Sequence, residues 1–260
     1  MAANLPGQVP NSRSYGVAHR AATPQVATLP EMKLVGLVPA RWNSKGIPRK
    51  NWIPLLPGDD RTLVDLVAES LTQSDLVNTT YVSTDVPDPV VQPPLQVHFR
   101  SEEASQDHAT ADDVVWDFIK RGPKRVVARP DDIWIVYLQP TSPLRRARHI
   151  DAAVRMAQES QRSVVSVRFA AENPSKMLWV RDDGLVEPVV TEKVASGNRQ
   201  WQRQALSPNG AVYVFPVSEF LSRGTFPITG AMPLLMSSEE SLDLDTLEDV
   251  RDWRKRVHGA

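Results

Sequence analysis

The chain contains no cysteine, which excludes disulfide bonds, thiolate metal sites and a cysteine nucleophile. It also lacks an excess of one charge, since 30 Lys and Arg residues stand against 31 Asp and Glu residues, a formal net charge of -1. Nucleic-acid and membrane-surface binders depend on a basic excess, so we expect neither nucleic acid nor a membrane as partner. No apolar run approaches the roughly 20 residues that span a bilayer. We therefore expect a soluble, cytoplasmic protein.

The N-terminal segment, residues 1–31, lacks the apolar core of a secretory signal and has its first acid at its last position. Low acid content with arginine resembles an organelle transit peptide, but prolines at positions 6, 10 and 24 interrupt the amphipathic helix that such a peptide needs. We interpret this segment as a disordered tail and predict one domain over residues 32–260.

The rest of the chain alternates predicted strands with predicted helices. The run from Ile133 to Leu138 is typical of a central parallel strand covered on both sides, and capping-box patterns at Thr62 and Thr110 begin two helices. We predict further strands over residues 34–38, 79–83, 95–99, 163–167 and 210–215. This alternation predicts a doubly wound α/β domain with a mostly parallel sheet. It lapses over residues 170–206, where short strands indicate either an arm or an insertion over the active site.

The loop after the first strand, residues 39–51, is rich in cations and has no acid; its cations are Arg41, Lys45, Arg49 and Lys50. Clustered like charges repel one another unless an anion neutralises them, and Ser44 and Gly46 let backbone N–H groups approach such an anion. The glycine–lysine spacing of the common ATPase phosphate loop is absent. The loop is either a solvated basic loop or an anion site, and its place after a strand favours the anion site.

Near the C-terminus, Asp243 and Asp245 alternate with leucines. In extended backbone both carboxylates point to one face while the leucines point to the core. Two carboxylates suit Mg²⁺, which completes its shell with water and phosphate oxygens. Alternatively, Asp245 or Thr246 caps the last helix. Capping gives Asp243 no role, so we favour the metal.

Other polar residues are each open to two interpretations. Asp85 is either a third acid near the metal or the start of a turn. Arg100 and Asp107 form either part of a site or a loop salt bridge. His108 is either a general base or a solvated side chain, and Tyr213 is more typical of core than of contact. The irregular segment offers residues that are either solvated or bind an anionic second substrate: Lys176, Arg199, Gln200 and Arg203.

A basic loop and a carboxylate pair on one α/β sheet fit phosphoryl or nucleotidyl transfer. Eight segments in order resemble the acylneuraminate cytidylyltransferase family, enzymes that activate sialic acids as CMP conjugates. The resemblance covers about residues 33–257 and lies in PARWNSKGIPRKN (39–51), VSTD (82–85), RSEEASQD (100–107), LQPTSPLR (138–145), SVVSV (163–167), PSK (174–176), PNGAVYV (208–214) and SLDLDT (241–246).

The resemblance implies a nucleotidyltransferase-like Rossmann-type fold that transfers CMP from CTP with Mg²⁺ and releases pyrophosphate. It also implies a homodimer in which residues 170–206 form a dimerisation excursion. It assigns nucleotide binding to Arg41, Asn43, Ser44, Lys45, Lys50, Asn51, Arg100, Asp107, Thr110 and Ala111. It assigns acceptor binding to Gln139, Lys176, Arg199, Gln200, Arg203 and Tyr213, and the metal to Asp243 and Asp245. The residues expected to act in catalysis are Arg41, Lys45, Lys50, Asp243 and Asp245.

The departures from the family pattern fall mostly on the acceptor side. Leu206 and Ser207 stand where the family commonly has an aromatic residue and an arginine. This removes a stacking surface and a bidentate carboxylate donor. We expect a small acidic acceptor, a sialic-acid-type 2-keto sugar acid or, alternatively, a phosphonate such as phosphonoformate. Further alternatives are a CTP-binding protein without catalysis and transfer from another nucleoside triphosphate.

Overall fold

The computed structural model describes residues 32–129, 132–190 and 204–258. Within these ranges the strands are β1 (Lys33–Pro39), β2 (Thr80–Thr84), β3 (Leu95–Phe99), β4 (Ile133–Tyr137), β5 (Val164–Phe169), β6 (Leu178–Val180), β7 (Val186–Pro188), β8 (Leu206–Pro216) and β9 (Met232–Leu235). The helices are α1 (Leu63–Thr72), α2 (Glu102–Ser105), α3 (Ala111–Arg121), α4 (Lys124–Val127), α5 (Ala147–Ser160), α6 (Val217–Arg223) and α7 (Leu247–His258), with a 3₁₀ turn at Pro174–Lys176.

One seven-stranded sheet organises the chain, in the order β3-β2-β1-β4-β8-β5-β9. Its pairs are parallel except for those of β8, which is antiparallel to both β4 and β5. The predicted α/β fold with a mostly parallel sheet is therefore confirmed. The expected central parallel strand, β4, is parallel to β1 on one side only, because the late strand β8 inserts on its other side.

The predicted capping boxes begin helices where the sequence placed them. Thr62 accepts the Asp65 N–H at 3.1 Å, and Asp65 accepts the Thr62 N–H at 2.9 Å. Thr110 and Asp113 make the same reciprocal pair at the start of α3. Each box satisfies two donors that a helix start leaves unpaired, so local sequence fixes both helix starts.

The core is divided by the sheet. Alternate strand residues enter opposite clusters: Val38 and Val136 pack with α1 and α5, whereas Leu37 and Ile135 pack with the aromatic side chains of α3 and α6. A third cluster lies under the basic loop (residues 39–51) and joins it to the acidic segment (residues 241–246) and α7. None of the described helices has the length and apolar character needed to cross a membrane.

Strands β6 and β7 pair only with each other, in a separate two-stranded antiparallel sheet that we call the arm (residues 178–188). Its apolar side chains are exposed, Trp179 to 60% and Val180 to 75%. The predicted excursion over residues 170–206 is thus described only in part, because residues 191–203 lie outside the described ranges. The predicted tail, residues 1–31, lies outside them as well.

Candidate functional site

The basic loop and the acidic segment lie against each other although almost 200 residues separate them. Ile47 of the loop packs in one buried cluster with Leu242 and Leu244. Gly46 approaches the same segment so closely that a Cβ atom there would lie 1.9 Å from the Asp245 carbonyl oxygen. Burial of these apolar side chains stabilises the contact, and glycine is the residue that permits it.

Lys50 makes the polar connection between the two segments. Its side chain is almost fully buried, with the residue 8% exposed. Its Nζ donates to the Leu244 carbonyl at 2.5 Å and to Asp245 Oδ1 at 2.8 Å. A buried ammonium group needs such partners. The structure therefore brings a predicted catalytic lysine to the predicted metal carboxylates.

The acidic segment presents its carboxylates as the alternation predicts. Leu242 and Leu244 are buried, and Asp243 and Asp245 are exposed. Partial removal of the Asp243 carboxyl from water raises its pKa above the ordinary value, and the nearby charge of Asp245 raises it further. A hydrogen bond from Thr141 and the charge of Lys50 oppose this rise in pKa. A cation bound beside these carboxylates would therefore stabilise the charged form of Asp243.

The donor set decides which cation fits. Among the described residues no group of three or more His, Cys, Asp or Glu side chains is arranged to hold a metal. Mg²⁺ uses one or two carboxylates and takes its remaining ligands from water and phosphate. The pair therefore fits Mg²⁺ shared with a phosphate ligand. Helix α7 does not need Asp245 as its cap, because Thr246 and Asp249 form the reciprocal pair there.

The other cations of the basic loop have different surroundings. Arg41 pairs with Asp107 at 3.2 Å, so the suggested loop salt bridge between Asp107 and Arg100 is replaced by a longer-range one. The Arg49 guanidinium lies 4.5 Å from the centre of the Trp42 ring. The loop residues with exposed side chains include Asn43 and Lys45.

Strand β2 supports the basic loop from beneath. Asp85 accepts the Trp42 N–H at 2.6 Å, which gives Asp85 a role in holding the loop. The Ser83 carbonyl accepts both the Ala40 N–H and the Arg100 Nε–H. Burial lowers the pKa of the Arg100 guanidinium.

Two buried polar atoms in the basic loop have no hydrogen-bond partner among the described residues, Ser44 Oγ and Asn51 Oδ1. The Asn51 carbonyl, by contrast, accepts the Val64 N–H in the first turn of α1. A buried polar atom without a partner is costly. A bound ligand that supplies those partners is the physical explanation that the loop's charge favours.

A cavity of about 290 Å³ lies between α3, the end of β4 and β8. It combines the predicted nucleotide residues Thr110 and Ala111 with the predicted acceptor residues Gln139 and Tyr213. Tyr213 is a half-buried wall of this cavity rather than pure core. Burial raises the pKa of its hydroxyl, and so does the charge of Asp243, which places the acidic segment near the cavity. The remaining lining residues are Asp112, Tyr137, Thr225, Phe226 and Ile228.

Strand β8 is irregular where it borders the cavity, and its register with β5 shifts between Val165 and Val167. Gly210 has φ 75°, and a Cβ atom there would lie 2.2 Å from Gln139 Oε1. The neighbouring Asn209 amide is fully used. Its Oδ1 accepts from Ser166 Oγ and the Ala211 N–H, and its Nδ2 donates to Ser241 Oγ and contacts Met236 Sδ.

Some predicted residues are not brought to this place. Lys176 is exposed on the 3₁₀ turn. His108 lines a different cavity, of about 520 Å³, with residues of α2 and α3. Arg199, Gln200 and Arg203 lie outside the described residues.

Sequence reasoning assigned no role to Arg145, which is 4% exposed. Its Nη1 donates to the carbonyls of Gln139 at 2.7 Å and Ala211 at 3.1 Å, and burial lowers its pKa to about 10. It therefore ties the end of β4 to β8 at the cavity. The LQPTSPLR segment was the available signal, but nothing in it shows that the arginine turns inward.

The sheet order, the basic loop at the end of β1 and the acidic segment beside it define a nucleotidyltransferase-type α/β domain. The sequence model described as cytidylyltransferase matches residues 35–195, and the chain belongs to the cytidylyltransferase family.

The chain is similar to the N-acylneuraminate cytidylyltransferase of Streptococcus agalactiae serotype V, with 30% identity over 230 residues, 84% of this chain and 52% of that protein. It thus spans about half the length of this relative. It is 29% identical over 221 residues to the CMP-N,N'-diacetyllegionaminic acid synthase of Legionella pneumophila, covering 83% of this chain and 92% of that one. A solved CMP:2-keto-3-deoxy-manno-octonic acid synthetase, complexed with CTP, matches with a TM-score of 0.60 and 14% identity over 87% of this chain and 99% of that chain, which supports the fold.

Proposed function

We propose that the chain is a CTP-dependent cytidylyltransferase that transfers CMP to a small acidic acceptor and releases pyrophosphate. The observation that carries the proposal is the contact of Lys50 Nζ with Asp245 Oδ1 at 2.8 Å. It joins a basic loop to a pair of carboxylates, which together are suited to a metal–triphosphate ligand. The names of the similar proteins support CTP as the donor.

In the proposed reaction an acceptor oxygen attacks the α-phosphorus of CTP in line, and pyrophosphate leaves. Arg41, Lys45 and Lys50 hold the phosphates and stabilise charge that develops on them. The Ser44 hydroxyl can donate to a phosphate oxygen, and Asn51 Oδ1 can accept from a ribose hydroxyl, so both gain the partners that they lack. Mg²⁺, held by Asp243 and Asp245, supplies further neutralisation of phosphate charge when it is bound.

The cytosine base of CTP is proposed to lie toward α3. Arg100, Asp107, Thr110 and Ala111 are the residues that we assign to cytosine recognition. Thr110 and Ala111 line the cavity of about 290 Å³, and Arg100 lies near Asp85 and Arg41, whose charges affect its pKa. These positions support a cytosine site beside the basic loop.

The acceptor is proposed to be a sialic-acid-type 2-keto sugar acid that contacts Gln139 and Tyr213. The similar proteins support this class, because their names include N-acylneuraminate and legionaminic acid. A small phosphonate is the second candidate. No histidine or lysine lines the cavity among the described residues, and a phosphonate, already anionic at its attacking oxygen, needs no strong base.

The test is incubation of the protein with CTP, Mg²⁺ and a panel of nonulosonates and phosphonates while pyrophosphate is followed. Turnover with sialic acid and none with phosphonates rejects the second candidate, and the reverse result rejects the first. Competition among CTP, UTP, GTP and ATP tests the donor. Binding of CTP without turnover of any acidic acceptor contradicts the catalytic proposal and favours a CTP-binding protein.

We also propose that the protein is a homodimer and that the arm carries the contact. The support is the exposure of neighbouring apolar side chains on the arm, among them Leu178, Trp179 and Val180, since such patches mark interaction surfaces. Sedimentation of the purified protein should show a dimer, and Trp179→Asp should shift it to monomer. A monomeric wild type would contradict the proposal.

A further inference from the structure

Asp112 connects two parts of the candidate site that are distant in sequence. It lies in the first turn of α3, directly after Thr110 and Ala111. Its Oδ1 accepts the Phe226 N–H at 2.9 Å, and its Oδ2 accepts the Thr225 hydroxyl at 2.7 Å. Both carboxylate oxygens are thus used to hold the loop of residues 224–231.

This 224–231 loop forms one wall of the cavity of about 290 Å³ through Thr225, Phe226 and Ile228. The Phe226 ring lies 4.9 Å from the ring of Tyr137 and 5.2 Å from that of Tyr213, measured between centroids. Both tyrosines line the same cavity. The position of the loop therefore sets the width of the cavity on this side.

Helix α3 holds the loop a second time, one turn further along. Trp116 Nε1 donates to the Gly224 carbonyl at 3.3 Å. Residues four apart lie on one face of a helix, so Asp112 and Trp116 form a continuous contact with the loop. The Trp116 bond reaches the start of the loop, whereas Asp112 alone of the two reaches the residues that line the cavity.

The Asp112 carboxylate places a negative charge in the lining of the cavity, and such a charge repels an acidic acceptor. Two donated hydrogen bonds and the N-terminal end of α3 offset that charge. With one hydrogen bond accepted at each oxygen, the group is placed to hold the loop.

We propose that Asp112 is a specificity-determining positioning residue: it fixes Phe226 against the cavity and so determines which acceptors fit. The inference rests on the proposed function, because it concerns the acceptor side of that same site. It goes beyond that function because it connects α3, which begins at the proposed nucleotide side, to the 224–231 loop, which forms a wall of the proposed acceptor side.

The kinetic test compares Asp112→Ala with Asp112→Asn, using CTP and whichever of N-acetylneuraminic acid and phosphonoformate the wild type turns over. Alanine removes both hydrogen bonds, and we expect the KM for the acceptor to rise about tenfold while the KM for CTP and kcat change less than about twofold. Asparagine can accept from the Phe226 N–H and donate to Thr225 Oγ, so we expect it to restore the wild-type acceptor KM. An unchanged acceptor KM in the alanine variant, or no rescue by asparagine, overturns the proposal.

Amide exchange measured on the same variants does not depend on activity. We expect faster exchange over residues 224–231 in Asp112→Ala and wild-type exchange in Asp112→Asn. Asp113→Ala is the matched control, because it removes the carboxylate half of the capping box of α3, which accepts from Thr110, without touching the loop, and should speed exchange in the first turn of α3 only. If the wild type turns over neither acceptor, the proposed function is contradicted. The exchange measurement then still tests whether Asp112 holds the 224–231 loop. Equal loop exchange in all variants overturns it.

Discussion

The basic loop and the 224–231 loop border the same proposed site, but different kinds of contact hold them in place. The basic loop is anchored by buried apolar packing of Ile47 and by the buried Lys50. The 224–231 loop is anchored by hydrogen bonds to Asp112 and Trp116 and by the half-buried Phe226 ring, which packs against several aromatic rings of the core. Buried apolar packing and a buried ammonium tolerate little displacement, whereas the exposed residues of the 224–231 loop, such as Thr225 and Ile228, move at smaller cost. We therefore expect the proposed nucleotide side to be the more rigid part and the proposed acceptor side to be the more adjustable one.

The largest expected effect comes from removing one of the two carboxylates of the acidic segment. Asp243→Asn should lower Mg²⁺-dependent turnover at least about 100-fold, since even residues outside the ligand shell of a metal cost 10–100-fold. The fold should remain intact, because the raised pKa of Asp243 means that the protein disfavours its charged form. Turnover and thermal unfolding measured together test this expectation.

The control for that experiment is Asp252→Asn, a surface carboxylate of α7 that forms an exposed ion pair with Lys255. It should leave both turnover and unfolding unchanged. Undiminished turnover in Asp243→Asn would show that the metal assignment is wrong.

Two glycines provide the next test, one on each side of the comparison. Gly46→Ala would press a methyl group on the Asp245 carbonyl, and Gly210→Ala would press one on the Gln139 side chain. Gly46→Ala should lose about 1–3 kcal/mol of unfolding free energy, because it meets rigid backbone. Gly210→Ala should lose about 1–2 kcal/mol through backbone strain at its positive φ, and a smaller steric part, because the flexible Gln139 side chain can shift. We expect Gly46→Ala to raise chiefly the KM for CTP and Gly210→Ala chiefly the KM for the acceptor.

Gly184→Ala separates backbone strain from steric contact in the Gly210 variant. Gly184 has φ 80°, close to the 75° of Gly210, but a Cβ atom there meets nothing within 4 Å. It should therefore lose only the strain part, about 1–2 kcal/mol, with both KM values unchanged. Equal kinetic effects of Gly46→Ala and Gly210→Ala on both substrates would contradict the division into two sides.

How far this division follows from sequence depends on the range of the interactions. The capping boxes at Thr62 and Thr110, the strand runs and the alternation of aspartates with leucines are local patterns, and the structure reproduces them. The residues of the basic loop and the acidic segment could be singled out because they lie in two short, dense segments, and the structure brings these segments into contact.

The acceptor side was not predictable to the same degree. Asp112 meets Thr225 across 113 positions of sequence, and no local pattern announces that contact. The antiparallel insertion of β8 between β4 and β5 is equally non-local. The inward turn of Arg145 depends on carbonyls that this insertion brings together. Strand pairing decided these features, and periodicity within one segment carries no information about it.

The smallest expected effect is a pH dependence beneath the nucleotide side. His98 contacts Ser83, whose carbonyl supports the basic loop. Burial lowers the pKa of His98, with Arg100 and Arg121 acting in the same direction and Asp117 against them. The unfolded chain, with a histidine pKa of about 6.5, therefore binds the proton first. Stability should be complete above that pH and fall below it, by at most about 1.4 kcal/mol per pH unit for one group.

Chemical denaturation between pH 7.5 and 5 measures this fall in unfolding free energy. His98→Gln should make it shallower, and the same change at the exposed His108 provides the control. His149, whose pKa burial also lowers, contributes the remaining fall. An equal slope in wild type and His98→Gln would contradict the assignment.

The side-chain amide of Asn209 has a consequence for how such a protein can be altered. Because it bonds Ser166, Ala211 and Ser241 at once, it has no spare capacity for a substrate. The same group connects the irregular strand β8 to the start of the acidic segment. If the residues of the proposed acceptor side were replaced by those of a relative, the new sequence would need hydroxyl groups at positions 166 and 241, because the one amide bonds to both.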